Sequence, residues 1–417
     1  MTKAKPTLAP FAHPLYLMAK AGGAQCNLAC DYCYYLEKAK LYQHQPRQAM
    51  DEQTLEAYIK QYLEAQTTPT VLFTWHGGEP MLRPLSFYKK AVALQQRYAQ
   101  GRVVENCIQT NGTLITEHWA AFLAEHNWLV GLSIDGPAKW HDAYRPRTSG
   151  KGSHAGVMRG LDLLKRHGVA WNAMATVNRI NAEHPAEFYH YFKDLGCEYL
   201  QFSPVVERLT QHSDGRHLAA VEDSGEAVKL APFSVLPEQW GHFLCGVWDA
   251  WIREDVGRIF VQLFDAVLAN WVGEQPGLCT MARTCGHAAV MEYNGDVYAC
   301  DHYVFPQYKL GNIHTRTITN MMYDARQQQF GRDKHARLTQ QCRECRYLFA
   351  CWGECPRNRF INSHTGEPHH NYLCEGYYRF YDHVAPYMDY MKQQLHLGLA
   401  PSDVMRVKAQ IDARRKR

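Results

Sequence analysis

Apolar residues follow two alternating rhythms over the first two hundred positions. Short runs rich in β-branched and aromatic residues stand at "PLYLMAK" (14–20), "TVLFTW" (70–75), "RVVENCI" (102–108), "WLVGLSI" (128–134), "AWNAMATV" (170–177) and "EYLQFSP" (198–204). Their length and content predict buried strands. Between them, residues 52–65, 84–99, 116–126, 155–167 and 183–194, and later 237–253, space apolar positions at helical intervals. "DEQTLEAYIKQYL" opens on acidic residues, as helix starts do. This alternation predicts βα units on a parallel sheet. Six units fall short of a closed eight-stranded barrel, so the expected fold class is α/β, a partial (β/α)6 TIM-like barrel.

The rhythm then breaks. Residues 205–236 mix polar residues with Gly and Pro and read as an insertion. After about residue 270, cysteines, glycines and short hairpin signals replace the βα pattern. In "VMEYNGDVYAC", Asn294-Gly295 predicts a two-residue hairpin. The expected organisation is a barrel region at 1–240 with its core at 14–204, a linker helix region at 241–270, a small metal-stapled domain at 271–380, and a helical segment at 381–417. A loop-rich region of that size has little core of its own, which is why a metal staple is expected.

Composition adds little except through cysteine. Of 417 residues, 46% are hydrophobic and 21% charged, ordinary for a globular chain. The formal charge of +4 is mild, and much of the excess sits in the terminal "DARRKR", read as a solvated helix end rather than a nucleic-acid arm. No apolar run is long enough to span a membrane. Pro and His interrupt the first residues, so no signal peptide is expected and the location is read as cytoplasmic. In that compartment the 14 cysteines are expected to be metal ligands or core thiols rather than disulfides. Cys107, Cys197 and Cys245 stand alone and read as buried thiols.

The other eleven are grouped. Cys26, Cys30 and Cys33 crowd "GGAQCNLACDYCYYLEK", directly after the first predicted strand, at the end where parallel sheets gather their chemistry. Three thiolates can hold three irons of a four-iron cluster and leave the fourth open to a ligand. The alternative is half a zinc site completed by His44 or another distant residue. Eight more, Cys279, Cys285, Cys300, Cys342, Cys345, Cys351, Cys355 and Cys374, make two sets of four. These suit two fully ligated iron–sulfur clusters or two zinc sites.

The spacing C-x3-C-x2-C followed by an aromatic resembles the signature of the radical S-adenosylmethionine enzymes. "HGGEP" (76–80), "QTNGT" (109–113), "LSIDGP" (132–137) and "FSPVVE" (202–207) each follow a predicted strand, as that family's motifs do. The resemblance implies that S-adenosylmethionine chelates the open iron and is split by one electron into methionine and a 5′-deoxyadenosyl radical. Carried over by position, it implies that the Tyr32 backbone meets the adenine and Gly78 the amino group. Ser133 and Arg145 would hold the ribose and carboxylate side, and Val206 would close on the adenine. Arg145 suits that role because a guanidinium forks onto a carboxylate through two hydrogen bonds.

The late pattern C-x2-C-x5-C-x3-C resembles the SPASM extension. That likeness implies interleaved clusters, Cys279, Cys285, Cys300 and Cys355 for the first and Cys342, Cys345, Cys351 and Cys374 for the second, three [4Fe-4S] clusters in all. Taken with "VVER", "NGDVYACDHYV", "LGNI" and "CWGECPRNR", the chain looks like the anaerobic sulfatase-maturating enzymes over nearly all of residues 14–380. The implied activity converts a serine or cysteine of a sulfatase polypeptide to Cα-formylglycine. A hydrogen atom leaves Cβ first, and an electron then passes to the auxiliary clusters. The implied proton acceptor is Asp301, with His302 and Tyr35 lining the pocket, and the implied electron donor is of flavodoxin or ferredoxin type. His76 stands where relatives often carry Gln. No nucleic-acid or membrane partner is expected.

Two other readings are open to the sequence. One is another SPASM enzyme that cross-links or epimerises a ribosomal peptide; such enzymes commonly carry a leader-binding domain, and none is expected before residue 14. The other is a non-catalytic iron–sulfur or zinc protein, which would have no need of the GGEP and LSIDGP segments.

Overall fold

The computed structural model describes residues 15–35, 38–42, 48–210 and 228–415. His44 and residues 211–227 of the expected insertion lie outside the described residues. All six expected strands form within two residues of their expected bounds: β1 (Tyr16–Lys20), β2 (Thr70–Trp75), β3 (Val103–Thr110), β4 (Leu129–Ser133), β5 (Trp171–Val177) and β6 (Tyr199–Pro204). Helices stand between them, α1 (Glu52–Ala65), α2 (Leu85–Tyr98), α3 (Glu117–Glu125), α4 (Ala138–Tyr144), α5 (His154–Arg166) and α6 (Pro185–Asp194). Caps fix their starts: Asp51 accepts from Thr54 N at 2.7 Å and Thr116 from Trp119 N at 3.4 Å. The short α4, in "AKWHDAY", was not expected, because seven residues give too few turns for a periodicity to register.

The chain then forms β7 (Arg208–Thr210) and β8 (Val228–Leu230), an antiparallel pair inside the expected insertion. α7 (Pro237–Trp251), β9 (Phe260–Val261) and α8 (Gln262–Val272) follow. Next come β10 (Ala288–Glu292), β11 (Asp296–Tyr298) and β12 (Lys309–Asn312), and near the end a long helix, Cys374–His396.

Two compact units interleave along the sequence. The first takes the described parts of Met1–Ser133, Tyr144–Trp171 and Thr284–Asp333. Within it β1, β2, β3 and β4 pair in parallel in that order. On the other side of β1 lies β10, also parallel, in a register that sets Lys20 beside Glu292. β11 and β12 continue antiparallel. The core under this sheet is aromatic: Phe73, Trp75, Tyr88 and Trp128 are buried, with Trp75 stacked on Trp128 at 6.4 Å and edge-on to Tyr88 at 5.5 Å. Each such pair contributes about 0.5–1.5 kcal/mol beyond its buried area.

The hairpin joining β10 to β11 differs from expectation. Its loop has three residues, with Gly295 N bonded to Glu292 O at 2.9 Å and Gly295 at φ +84°. Asn294 keeps a negative φ because its side chain accepts from Asp296 N at 3.1 Å, so only the glycine takes the left-handed position.

The second unit takes Ile134–Ala143, Asn172–Arg283 and the described part of Lys334–Arg417. In it β6 pairs in parallel with β5 and β9. Its core gathers Trp240, Phe243, Trp248 and Phe264 from α7 and α8 against Phe380 and Tyr381 of Cys374–His396. The α/β class with a mostly parallel sheet is therefore what the chain adopts. No helix among the described residues is long and apolar enough to cross a membrane.

Candidate active site

The loop after β1 is built from the backbone outward. Ala29 N bonds to Pro146 O at 2.8 Å and Asp31 N to Tyr144 O at 3.0 Å, strapping the three-cysteine segment to the stretch that carries Arg145. Cys26, Cys30 and Cys33 are half-buried. Cys26 Sγ receives Leu28 N at 3.4 Å and Asn111 Nδ2 at 3.8 Å. Burial pushes the free Cys26 thiol up to about 11, and these donors oppose that rise. A thiolate needs such donors, and a positive cluster beside it would lower the thiol further.

The GGEP segment is pressed against this loop. Gly78 N bonds to Gly23 O at 2.9 Å and Glu79 N to Gln25 O at 2.7 Å. A Cβ on Gly78 would stand 2.1 Å from Gln25 O and 2.5 Å from Ala24 O, so only glycine fits. Glu79 is buried and accepts from Met81 N at 2.9 Å, Thr110 Oγ1 at 2.8 Å and Asn111 N at 2.8 Å. One carboxylate thus ties GGEP to the TNGT turn, and Asn111 ties that turn back to Asn27 at 2.9 Å. Burial raises the Glu79 carboxyl to about 7 against those three donors.

The remaining expected cofactor contacts fall in both units. Tyr32 is buried, and the Arg145 guanidinium lies 5.5 Å from its ring. Ser133 ends β4 and receives Gln109 Nε2 at 2.9 Å. Those residues belong to the first unit with Gly78. Val206 is a buried residue of the second unit, following β6.

Asp301 follows Cys300 in a short helical turn and lies in a cluster of charge. Lys20, the last residue of β1, is fully buried and pairs with Asp301 Oδ1 at 2.6 Å. Tyr34, directly after Cys33, donates to Asp301 Oδ2, and Lys38 Nζ donates to the Asp301 carbonyl. Burial alone would raise the Asp301 carboxyl, but Lys20 and Lys38 outweigh it and hold the group well below the usual carboxylate range. Beneath Lys20 lies the Tyr35 ring, 3.5 Å from Nζ, and the Tyr35 hydroxyl donates to buried Glu292. The His302 ring packs on Tyr34 at 4.9 Å. His76 Nδ1 accepts from Gly77 N at 2.8 Å, which leaves the ring proton on Nε2. Burial and Lys20 lower the His76 pKa to about 4, so the ring is neutral.

Lys20, Tyr34, Lys38 and Glu292 were not among the expected site residues. Lys20 left one trace, a charge closing an otherwise apolar strand in "LYLMAK". Its partnership with β10 leaves none.

The late cysteines divide by unit. Cys285 and Cys300 lie in the first, while Cys279, Cys342, Cys345, Cys351, Cys355 and Cys374 lie in the second. There, Cys342, Cys345, Cys351 and Cys374 line one cavity of about 350 Å³; among the described residues lining it, Cys355 is absent. Among the described residues no three His, Cys, Asp or Glu side chains converge on a point that holds a single metal ion. A four-iron cluster held at its corners by these four thiols would suit a cavity of that size.

Comparison with known proteins decides the family. The radical SAM superfamily matches residues 22–192, and the SPASM iron–sulfur cluster-binding domain matches residues 279–346. A serine-type anaerobic sulfatase-maturating enzyme of Bacteroides thetaiotaomicron is 59% identical over 400 residues, 96% of each chain. This chain belongs to the anaerobic sulfatase-maturating enzymes. A cysteine-type member from Clostridium perfringens is 30% identical, covering 89% of this chain and 97% of its own. The solved structure of native anSMEcpe with bound AdoMet and Cp18Cys peptide aligns with a TM-score of 0.79 at 29% identity, over 92% of this chain and all of the other. This sulfatase-maturating enzyme is thus a radical S-adenosylmethionine enzyme with a SPASM domain. The non-catalytic reading falls.

Proposed function

We propose that this enzyme oxidises a serine side chain in a sulfatase polypeptide to Cα-formylglycine. Serine is preferred to cysteine because the serine-type relative is 59% identical and the cysteine-type one 30%. When bound, S-adenosylmethionine on an open-cornered cluster would supply the radical chemistry for hydrogen abstraction at the substrate Cβ, and two fully ligated clusters would supply an acceptor for the second electron. In this reading Cys26, Cys30 and Cys33 hold the first of three [4Fe-4S] clusters. Gly78, Ser133, Arg145, Val206 and the Tyr32 backbone hold S-adenosylmethionine. Electrons for cofactor cleavage come from a flavodoxin- or ferredoxin-type donor.

The chain's own part is to receive a proton at the right place. One observation carries the reading: Tyr34, next to Cys33, bonds to Asp301, next to Cys300. That bond sets the proposed acceptor beside the cysteine triplet. Lys20 keeps Asp301 ionised and hence able to accept. Asp301 Oδ takes the hydroxyl proton as the carbon centre loses its second electron, leaving the aldehyde. His76, neutral with its proton on Nε2, offers a donor and no charge to that pocket.

The test is anaerobic turnover with dithionite, S-adenosylmethionine and two matched sulfatase peptides, one with serine and one with cysteine. The serine peptide should be converted faster and lose two hydrogens by mass spectrometry. Preference for the cysteine peptide would overturn the serine assignment, and no aldehyde from either would overturn the activity.

A further inference from the structure

We propose that Arg359 is the positioning residue that sends Cys351 and Cys355 to different clusters, by clasping the left-handed turn between them. The proposal rests on the reading above that Cys351 and Cys355 belong to separate auxiliary sets. Only Trp352, Gly353 and Glu354 separate them, and all three have left-handed backbone, with φ of 49°, 68° and 52°. Trp and Glu rarely adopt that conformation, so it persists only where the surroundings impose it.

One side chain imposes it. Arg359 is buried, and its Nε donates to Gly353 O at 3.0 Å. Its Nη2 donates to Trp352 O at 3.0 Å and to Glu354 O at 3.3 Å. All three turn carbonyls are thus gathered by one guanidinium, a planar fork that a lysine's single nitrogen cannot reproduce. The turn is closed from the other side as well. A Cβ on Gly353 would lie 2.4 Å from Leu338 Cδ2 and 2.7 Å from Arg359 Nη2. Glu354 Oε2 receives Asn358 Nδ2 at 3.0 Å and Asn371 Nδ2 at 2.8 Å. The result is visible in the cavity, which Cys351 lines and Cys355 does not.

The fourth contact of the clasp reaches the other cysteine of the first auxiliary set in this unit. Arg359 Nη1 donates to Lys334 O at 2.6 Å. Lys334 Nζ in turn gathers the carbonyls of Cys279, Thr280 and Ala282 at 2.7, 2.8 and 2.5 Å. Arg359 therefore couples the Cys279 turn to the turn that precedes Cys355.

Arg359→Met, Arg359→Lys and Gly353→Ala, made in the full chain and reconstituted anaerobically, test this. Iron and sulfide per chain, Mössbauer spectra and 5′-deoxyadenosine release are read beside far-UV circular dichroism. Wild type should hold about twelve irons, four per cluster. Each variant should lose about four or more, with 5′-deoxyadenosine release kept within about twofold and the circular dichroism unchanged. Arg359→Lys should lose as much iron as Arg359→Met, because the fork is needed rather than the charge. Full iron in Arg359→Met or Gly353→Ala overturns the clasp, as does full recovery in Arg359→Lys. Loss of all iron with loss of helical signal also overturns it, by showing a general role in folding. A wild-type chain with only about four irons overturns the two-cluster reading itself, before any variant is compared.

Discussion

Asp301 shows how much of a residue's chemistry comes from neighbours distant in sequence. Its place after Cys300 was legible through family likeness, but its partners were not, because Lys20 arrives by way of β1 and Tyr34 by way of the cysteine loop. Asp301→Asn should leave 5′-deoxyadenosine release largely intact and lower aldehyde yield by about 10²-fold or more, the scale of a lost general base. Product ratios from one reaction check this. Lys20→Met leaves a largely buried carboxylate without its nearest counter-charge and should cost about 3 kcal/mol. Adding Asp301→Asn should recover part of that loss, so a double-mutant cycle on unfolding should show coupling above about 0.5 kcal/mol. Independent, additive losses would dissolve the pair.

Glu79 adds a pH dependence at the same scale. Its folded carboxyl lies near 7, above the ordinary value of 4.5. The folded state therefore keeps a proton that the unfolded chain releases between those values. The stability this contributes is present below about 4.5 and is lost as pH rises to about 7, on the order of 3 kcal/mol at most. Glu79→Gln should flatten that slope, measured as the melting-temperature difference from wild type between pH 5 and 8. A parallel offset at every pH would show that Glu79 does not titrate there.

At the scale of elements the sequence was most legible where periodicity is strongest. β2 and α1 fall on their expected bounds because an apolar run and an amphipathic repeat each bury one face. The hairpin at Asn294-Gly295 was legible in position but not in type, since Asn294 bonds to its own backbone neighbour instead of turning left-handed. Pairing of β10 with β1 was not legible at all, because parallel partners far apart in the chain leave no local signal. Where loops meet, a single atom decides. Gly78→Ala would drive a methyl into the Gln25 carbonyl, so it should displace the cysteine loop. Iron bound by the N-terminal triplet and 5′-deoxyadenosine release should both fall by more than tenfold. Retention of both would show that the loop can yield.

For the whole molecule, composition fixed almost nothing, and cysteine spacing almost everything that mattered. Eleven grouped thiols pointed to clusters, while no spacing encodes that Cys285 and Cys300 fall in one unit and the other six late cysteines in the second, or that a left-handed turn separates Cys351 from Cys355. The family follows from full-length similarity, and the chemistry proposed for the site is hydrogen removal from Cβ. The most direct measurement uses a sulfatase peptide whose target serine carries deuterium at Cβ, incubated with reductant and unlabelled S-adenosylmethionine under argon. If hydrogen leaves Cβ to the cofactor-derived radical, one deuterium should appear in 5′-deoxyadenosine for each aldehyde formed. Aldehyde without deuterium in 5′-deoxyadenosine, or deuterium taken instead from a peptide labelled at Cα, would contradict it.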